Sequence, residues 1–265
     1  MNRLRNNPAS RRSARGKSAL YPLAAGLALA LIALLSGGDP AEAAPLLTCG
    51  HFTREVPAAP APREAAWAKH RFEEINAAVK GEPHRVLFLG DSITQRFDKQ
   101  VWQERMVPRG VLNAGVSGDR TEHLLWRLQH GNLAGPPPAV AVLLIGTNDL
   151  GHGRKPQDAA EGIRADLSYL RRHLPDTRIL LLGLWPRGAT REDRLRRGTV
   201  AVNRLIQSCG NDRAVIYADI GGVLLDPVGR LTRAISPDLL HFSHKGYGRL
   251  ATPLDALIDQ AVAGR

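Results

Sequence analysis

The chain has 265 residues, 43% of them apolar and 23% charged, with a formal net charge of +11. Those figures place it among ordinary globular proteins, with room for one large domain or two small ones and a sizeable core. The basic balance would suit a nucleic-acid partner, but the arginines are scattered and no aromatic stacking platform accompanies them. That excludes nucleic-acid binding and leaves a weak pull toward anionic surfaces. Only Arg187, Arg191, Arg194, Arg196 and Arg197 cluster, on what reads as a solvated helix start.

The front end does not belong to the core. Arg3, Arg5, Arg11, Arg12, Arg15 and Lys17 precede an uncharged apolar run from Ala19 to Leu35, followed by Ala41-Glu42-Ala43. A basic n-region, an apolar h-region and an A-x-A site read as a signal peptide over residues 1–43, cleaved just after Ala43, which sends the mature chain to the periplasm or beyond. The alternative is a retained anchor, since the run sits near the lower limit for spanning a bilayer, roughly 17 residues. Six basic residues against Asp39 and Glu42 give the leader +4, so the +11 of the whole chain falls to +7 in the mature protein. Cys49 stands too far from the apolar run for lipidation. It and Cys209 either form one disulfide or remain two thiols, and no Cys/His grouping has zinc spacing.

Residues 44–63, rich in Pro and Ala, read as an extended arm, and residues 64–265 as a single domain. Trp67, His70, Phe72, Ile75 and Val79 recur at helical spacing and predict a helix over 64–80. Strand-like runs follow at 86–89, 110–112, 140–145, 179–184 and 215–218. Helical patterns lie at 121–129, 158–173, 194–209 and 245–263. This alternation predicts a three-layer α/β/α domain with about five parallel strands, because right-handed crossovers put helices on both faces.

Three strand ends carry polar signatures: Gly90-Asp91-Ser92, Asn113-Ala114-Gly115-Val116-Ser117-Gly118-Asp119 and Gly146-Thr147-Asn148-Asp149. Ligands of open α/β sheets bind outside the carboxyl ends of the strands, so these loops are expected to share one cleft. Ser92 is the candidate nucleophile, with Asp91 beside it as a supporting residue. The amides of Ser92 and Gly118 and the Asn148 side chain are candidate oxyanion donors. Any one loop could equally be a plain strand-to-helix turn.

Late in the chain, Ser236-Pro237-Asp238-Leu239-Leu240-His241 places a carboxylate three residues before a histidine, a spacing that can supply both base and orienter. His244 is the rival base but has no carboxylate at that offset, so it reads as a solvated or capping histidine. His123 reads as a packing or rim residue.

Together, Gly90-Asp91-Ser92, Gly118 in its Asn-x-Gly-x-x-Gly-Asp setting, Gly146-Thr147-Asn148 and Asp238-x-x-His241 resemble the GDSL or SGNH hydrolases. Leu112 to Leu128 and Gly183-Leu184-Trp185-Pro186-Arg187-Gly188 resemble the catalytic subunits of platelet-activating-factor acetylhydrolase. The resemblance implies a flavodoxin-like fold, no metal and no cofactor. It implies hydrolysis of short acyl esters, acetyl above all, by a Ser92-His241-Asp238 triad with Gly118 and Asn148 in the oxyanion hole. The animal members pair as dimers, which makes a homodimer the candidate assembly. The leader and arm are foreign to those enzymes, so the ester substrate is a small molecule, a carbohydrate or a lipid. Alternatives are acyl transfer to a glycan, polysaccharide deacetylation, a phospholipid-directed lipase, or a noncatalytic binding module. Trp185 and Leu239 are candidates for lining the acyl pocket.

Overall fold

In a computed structural model of the chain, residues 59–81, 83–210 and 213–264 are described. The leader, its cleavage point, the arm up to residue 58 and Cys49 lie outside the described residues. Cys209 is buried and is not a free thiol.

Helix α1 (Ala66–Gly81) buries Ala68, Ile75 and Val79 along one stripe, and β1 (Val86–Gly90) is buried along its whole length. Strand β1 runs straight into α2 (Ser92–Gln95), which is followed by α3 (Lys99–Val101). Then come β2 (Val111–Gly115), α4 (Thr121–Arg127), β3 (Val140–Leu144), α5 (Thr147–Gly151), α6 (Pro156–His173) and β4 (Arg178–Leu182). Helix α7 (Arg194–Ile206), β5 (Val215–Ala218) and α8 (His244–Ala263) complete the fold.

The five strands form one sheet in the order β2-β1-β3-β4-β5, and every pair is parallel. Helix α6 packs between α4 and α7, whereas α8 packs against β3, β4 and α3, so both faces are covered. Covered faces explain why the β1 and β3 sequences are unbroken apolar runs. The expected three-layer architecture with five parallel strands is what the structure contains.

Register decides where the chemistry gathers. Gly90 lies opposite Gly115 on one side and Leu144 on the other, so the first three strands end level and their loops leave the sheet at one edge. The two glycines permit this. A Cβ on Gly90 would lie 2.2 Å from Thr94 Oγ1 and 2.7 Å from the Leu144 carbonyl oxygen, and one on Gly115 would lie 2.4 Å from the Gln95 nitrogen. Their bare backbones therefore let α2 turn tightly over the strand ends.

Element boundaries differ from expectation by a few residues. Strand β2 starts at Val111 because Gly110, at φ 64°, closes a 3-10 turn ahead of it. Helix α4 stops at Arg127 and continues as a π turn to Asn132, which breaks at Gly131, φ 135°. Helices α2, α3 and α5 have three to five residues and are too short for any periodicity to register. The arginine cluster is not wholly solvated. Arg196 is buried and donates to the carbonyls of Arg187 and Gly188, clamping the β4–α7 connection.

Helix α8 is tied to the start of α2 by one buried bond, in which the Tyr247 hydroxyl donates to the Ile93 carbonyl at 2.7 Å. The ring also packs 4.2 Å from Phe97 and edge-on to Phe242. Tyr247→Phe keeps the packing and leaves the Ile93 carbonyl without this donor, so it should lower the free energy of unfolding by about 1–3 kcal/mol in a urea titration.

Candidate active site

Ser92 is the first residue of α2, at the carboxyl end of β1, and is buried. Asp91 caps that helix, its Oδ1 accepting from the Ile93 amide at 2.9 Å. From the loop before α8, His241 places Nε2 2.8 Å from Ser92 Oγ. Its Nδ1 lies 2.7 Å from Asp238 Oδ2. With Nδ1–H donated to the carboxylate, Nε2 is left to accept the serine proton. The three residues that the sequence singled out for a nucleophile, a base and an orienter thus form one relay.

The loop that carries His241 is built around a strained residue. Leu239 has φ 62°, the one positive value among the described non-glycine residues. A bulky side chain in the left-handed region costs roughly 1–2 kcal/mol, and such strain clusters at functional sites. Here it curls the chain so that Asp238 Oδ1 accepts from the amides of Leu240 and His241, at 3.0 and 2.7 Å. Burial pushes the Asp238 carboxyl up, but the hydrogen bonds from the His241 ring and these amides outweigh it. The net effect holds the group below the ordinary carboxylate range.

Gly118 sits in the loop after β2 with φ 78°. Among the described residues, neither its backbone N–H nor that of Ser92 has a hydrogen-bond acceptor. Asn148, second residue of α5, donates from Nδ2 to the Asp119 carbonyl at 2.9 Å, which orients the amide and leaves its second hydrogen free. Neighbouring donors without partners are what a developing oxyanion needs.

Beneath these loops lies a buried polar layer that sequence reasoning missed. Arg127 donates to Asp119 Oδ2 at 2.6 Å, to Asn132 Oδ1 at 2.5 Å and to the Gly90 carbonyl at 2.9 Å. Asp149 accepts from Thr121 Oγ1 at 2.9 Å and from Arg154 at 3.0 Å. Arg187 donates to the Thr147 carbonyl at 2.8 Å, bracing the turn that presents Asn148. Burial dominates the titration of these carboxyls. It pushes Asp149 up to about 6 and Asp91 up to about 7, the latter with help from Asp119 and Asp149. Asp166, wholly buried with both carboxyl oxygens unpartnered, is raised well above the ordinary range by that burial. No periodicity or spacing marks these residues, since their partners lie on other elements.

Two expectations hold and one needs correction. His244 is exposed and opens α8, as a solvated or capping histidine would, and it pairs with Asp98 Oδ1 at 3.0 Å. His123 is buried, as a packing residue would be; its Nδ1 accepts from the Arg120 amide at 3.1 Å, and burial pushes it down to about 4, so it stays neutral. Trp185 is buried at 1% exposure against Phe242 and belongs to the core, not to an open acyl pocket. Leu239 remains half-buried in the turn between Asp238 and His241.

Known proteins share this fold. The model of the GDSL-like lipase/acylhydrolase family matches residues 88–249. The chain is 34% identical over 198 residues to the human platelet-activating factor acetylhydrolase IB subunit alpha1, covering 73% of this chain and 82% of that one. Among solved structures, a GDSL-like lipase from Bacteroides thetaiotaomicron superimposes with a TM-score of 0.56 at 20% identity, covering 73% of this chain and 96% of that one. A catalytic mutant of an acetylxylan esterase from Geobacillus stearothermophilus does so with 0.53 at 20% identity, covering 68% and 96%.

The raised pKa of Asp91 makes stability depend on pH. Its neutral form is favoured in the fold, so its contribution is complete below the unfolded value near 4 and is lost as pH rises through about 7. Asp91→Asn keeps the acceptor for the Ile93 amide and cannot ionise. Relative to that variant, the wild-type melting temperature should fall by a few degrees between pH 5 and pH 8.5 in a thermal-shift series.

Proposed function

Because the chain belongs to the GDSL-like lipase/acylhydrolase family and is a carboxylic ester hydrolase, we propose that it hydrolyses short-chain O-acyl esters, acetyl above all, through Ser92, His241 and Asp238. The observation that carries this reading is the continuous relay from Ser92 Oγ to His241 Nε2 at 2.8 Å and from His241 Nδ1 to Asp238 at 2.7 Å. The acetyl preference draws on the names of relatives, one a platelet-activating factor acetylhydrolase and one an acetylxylan esterase.

In this mechanism Ser92 Oγ attacks the ester carbonyl as its proton passes to His241 Nε2. The carbonyl oxygen becomes an oxyanion facing the amides of Ser92 and Gly118 and the free hydrogen of Asn148 Nδ2. Asp238 keeps the imidazole in the tautomer that can accept and steadies the imidazolium that forms. Collapse expels the alcohol, which takes the proton from His241 and leaves an acyl-enzyme. A water deprotonated by His241 then attacks the acyl carbon, and release of the acid restores Ser92. An open cleft of about 540 Å³ is lined by Trp67, Gln95, Asp98 and Ser117, the last of them next to Gly118 in sequence.

Export is part of the same reading and rests on the leader over residues 1–43 alone. Fractionation of cells expressing the full chain should recover a protein shortened by about that length outside the cytoplasm; full-length chain in the cytoplasm would refute it.

Purified protein should hydrolyse p-nitrophenyl acetate, and Ser92→Ala or His241→Ala should each lower kcat by about 10⁵-fold with circular dichroism unchanged. Undiminished turnover in the Ser92 variant would refute the assignment. Asp238→Ala should cost at least about tenfold less, because an exposed orienter is partly replaced by water. Asn148→Ala should lower kcat by about 10²–10³ with KM little changed, as expected for a donor used mainly in the transition state.

A further inference from the structure

The last residues ahead of α1 do more than lead the chain into the domain. Arg63 extends its guanidinium over the loop after β2, where Nη1 donates to the Gly118 carbonyl at 2.9 Å. A Cβ on Gly118 would lie 2.9 Å from Arg63 Nη2, the movable end of that side chain, and it is φ 78° that favours glycine there. The guanidinium is itself braced, 5.6 Å from the centre of the Trp67 ring, and the Ala61 amide donates to the Glu122 carbonyl at 3.2 Å, which holds the arm against α4.

What this bond restrains becomes clear from the peptides of the loop taken one at a time. The Ser117 amide donates to Gln95 Oε1 at 2.7 Å, which fixes the peptide between Val116 and Ser117. The peptide between Gly118 and Asp119 is pinned at both ends: its N–H donates to the Val116 carbonyl at 3.1 Å and its C=O accepts from Arg63. Only the peptide between them, which carries the Gly118 N–H, has no partner among the described residues. Its direction is set by its two neighbours, and glycine offers no Cβ to resist rotation. A charge-assisted bond at one of those neighbours is the stronger restraint available there.

We propose that Arg63 is a positioning residue for catalysis: by holding the Gly118 carbonyl it aims the Gly118 N–H at the place where the oxyanion forms. The proposal rests on the reading of Gly118 as an oxyanion donor. It adds that the segment before α1 is a working part of the site, supplied from outside the strand-end loops. Arg63 touches neither the ester nor the reacting atoms, and it acts through the geometry of one peptide.

The test pairs kinetics with a measurement that needs no turnover. In Arg63→Ala, kcat for p-nitrophenyl acetate should fall about tenfold, less than the 10²–10³ expected for outright loss of an oxyanion donor, while KM stays unchanged. Millimolar methylguanidinium should restore part of the loss, and Arg63→Lys should retain more activity than Arg63→Ala. In ¹⁵N-labelled Ser92→Ala protein, the Gly118 amide should be sharp, and it should broaden or shift on adding Arg63→Ala while amides of α6 stay unmoved. An unchanged kcat, or a Gly118 amide equally sharp with and without Arg63, overturns the positioning role. So does a kcat loss accompanied by a matching fall in melting temperature with no rescue by methylguanidinium. If instead the Gly118 amide depends on Arg63 but wild-type protein hydrolyses no ester, the positioning role stands and the esterase reading alone fails.

Discussion

The site depends on one buried cation. Arg127 is 2% exposed, and its guanidinium joins the carbonyl of Gly90, where β1 ends, to the carboxylate of Asp119, which follows Gly118. Three donors in a rigid plane meet three acceptors on separate segments, so the loop bearing Ser92 and the loop bearing Gly118 are held at a fixed separation. A buried ion pair is weak evidence for stability, because desolvation consumes most of its Coulombic gain. Its value here lies in geometry. Asp119 also accepts from Asn148 through its backbone carbonyl, which draws the third loop into the same frame.

Around that frame the fold uses two kinds of restraint. The parallel register brings β1, β2 and β3 to a common edge, which sets the loops within reach of one another but not their side-chain directions. Directions come from local bonds: the Asp91 cap on α2, the turn at Leu239 that joins Asp238 to His241, Arg187 on the carbonyl of Thr147, and Arg63 on that of Gly118. The strain at Leu239 sits in the turn that sets the distance between Asp238 and His241. The buried carboxyls nearby are costly for the same reason that they are useful. Asp91, Asp149 and Asp166 all have raised pKa values through burial, so the layer can stay packed without a cation for every acid.

Most of the fold was legible from pattern. The unbroken run Val86 to Leu89 and its counterpart at Val140 marked strands buried on both faces, and both lie at the centre of the sheet. The helical pattern at 245–263 marked the last helix, which buries Tyr247, Leu250, Leu254 and Ile258. Pattern failed where elements span about one helical turn, as in α2, α3 and α5, and where a backbone φ above zero ends an element, as at Gly110 and Gly131. It also misjudged single side chains. Trp185 stands in a motif and yet is core, and Arg196 stands in a charge cluster and yet is buried, since burial is decided by what packs above a residue rather than by its neighbours in sequence.

By itself the sequence determined the class of sheet, the identity of the groups at the strand ends, and the Asp238-to-His241 pairing. The first follows from the alternation of strand and helix patterns along the chain, and the other two from residues close together within one segment. Only the tertiary structure decided that His241 reaches Ser92 across 149 positions, that His244 pairs with Asp98, and that Arg63 and Arg127 hold the loops. Each of those contacts joins segments whose separation along the chain carries no information about their separation in space. That distance is fixed only when the register of the sheet and the packing of the helices are fixed together.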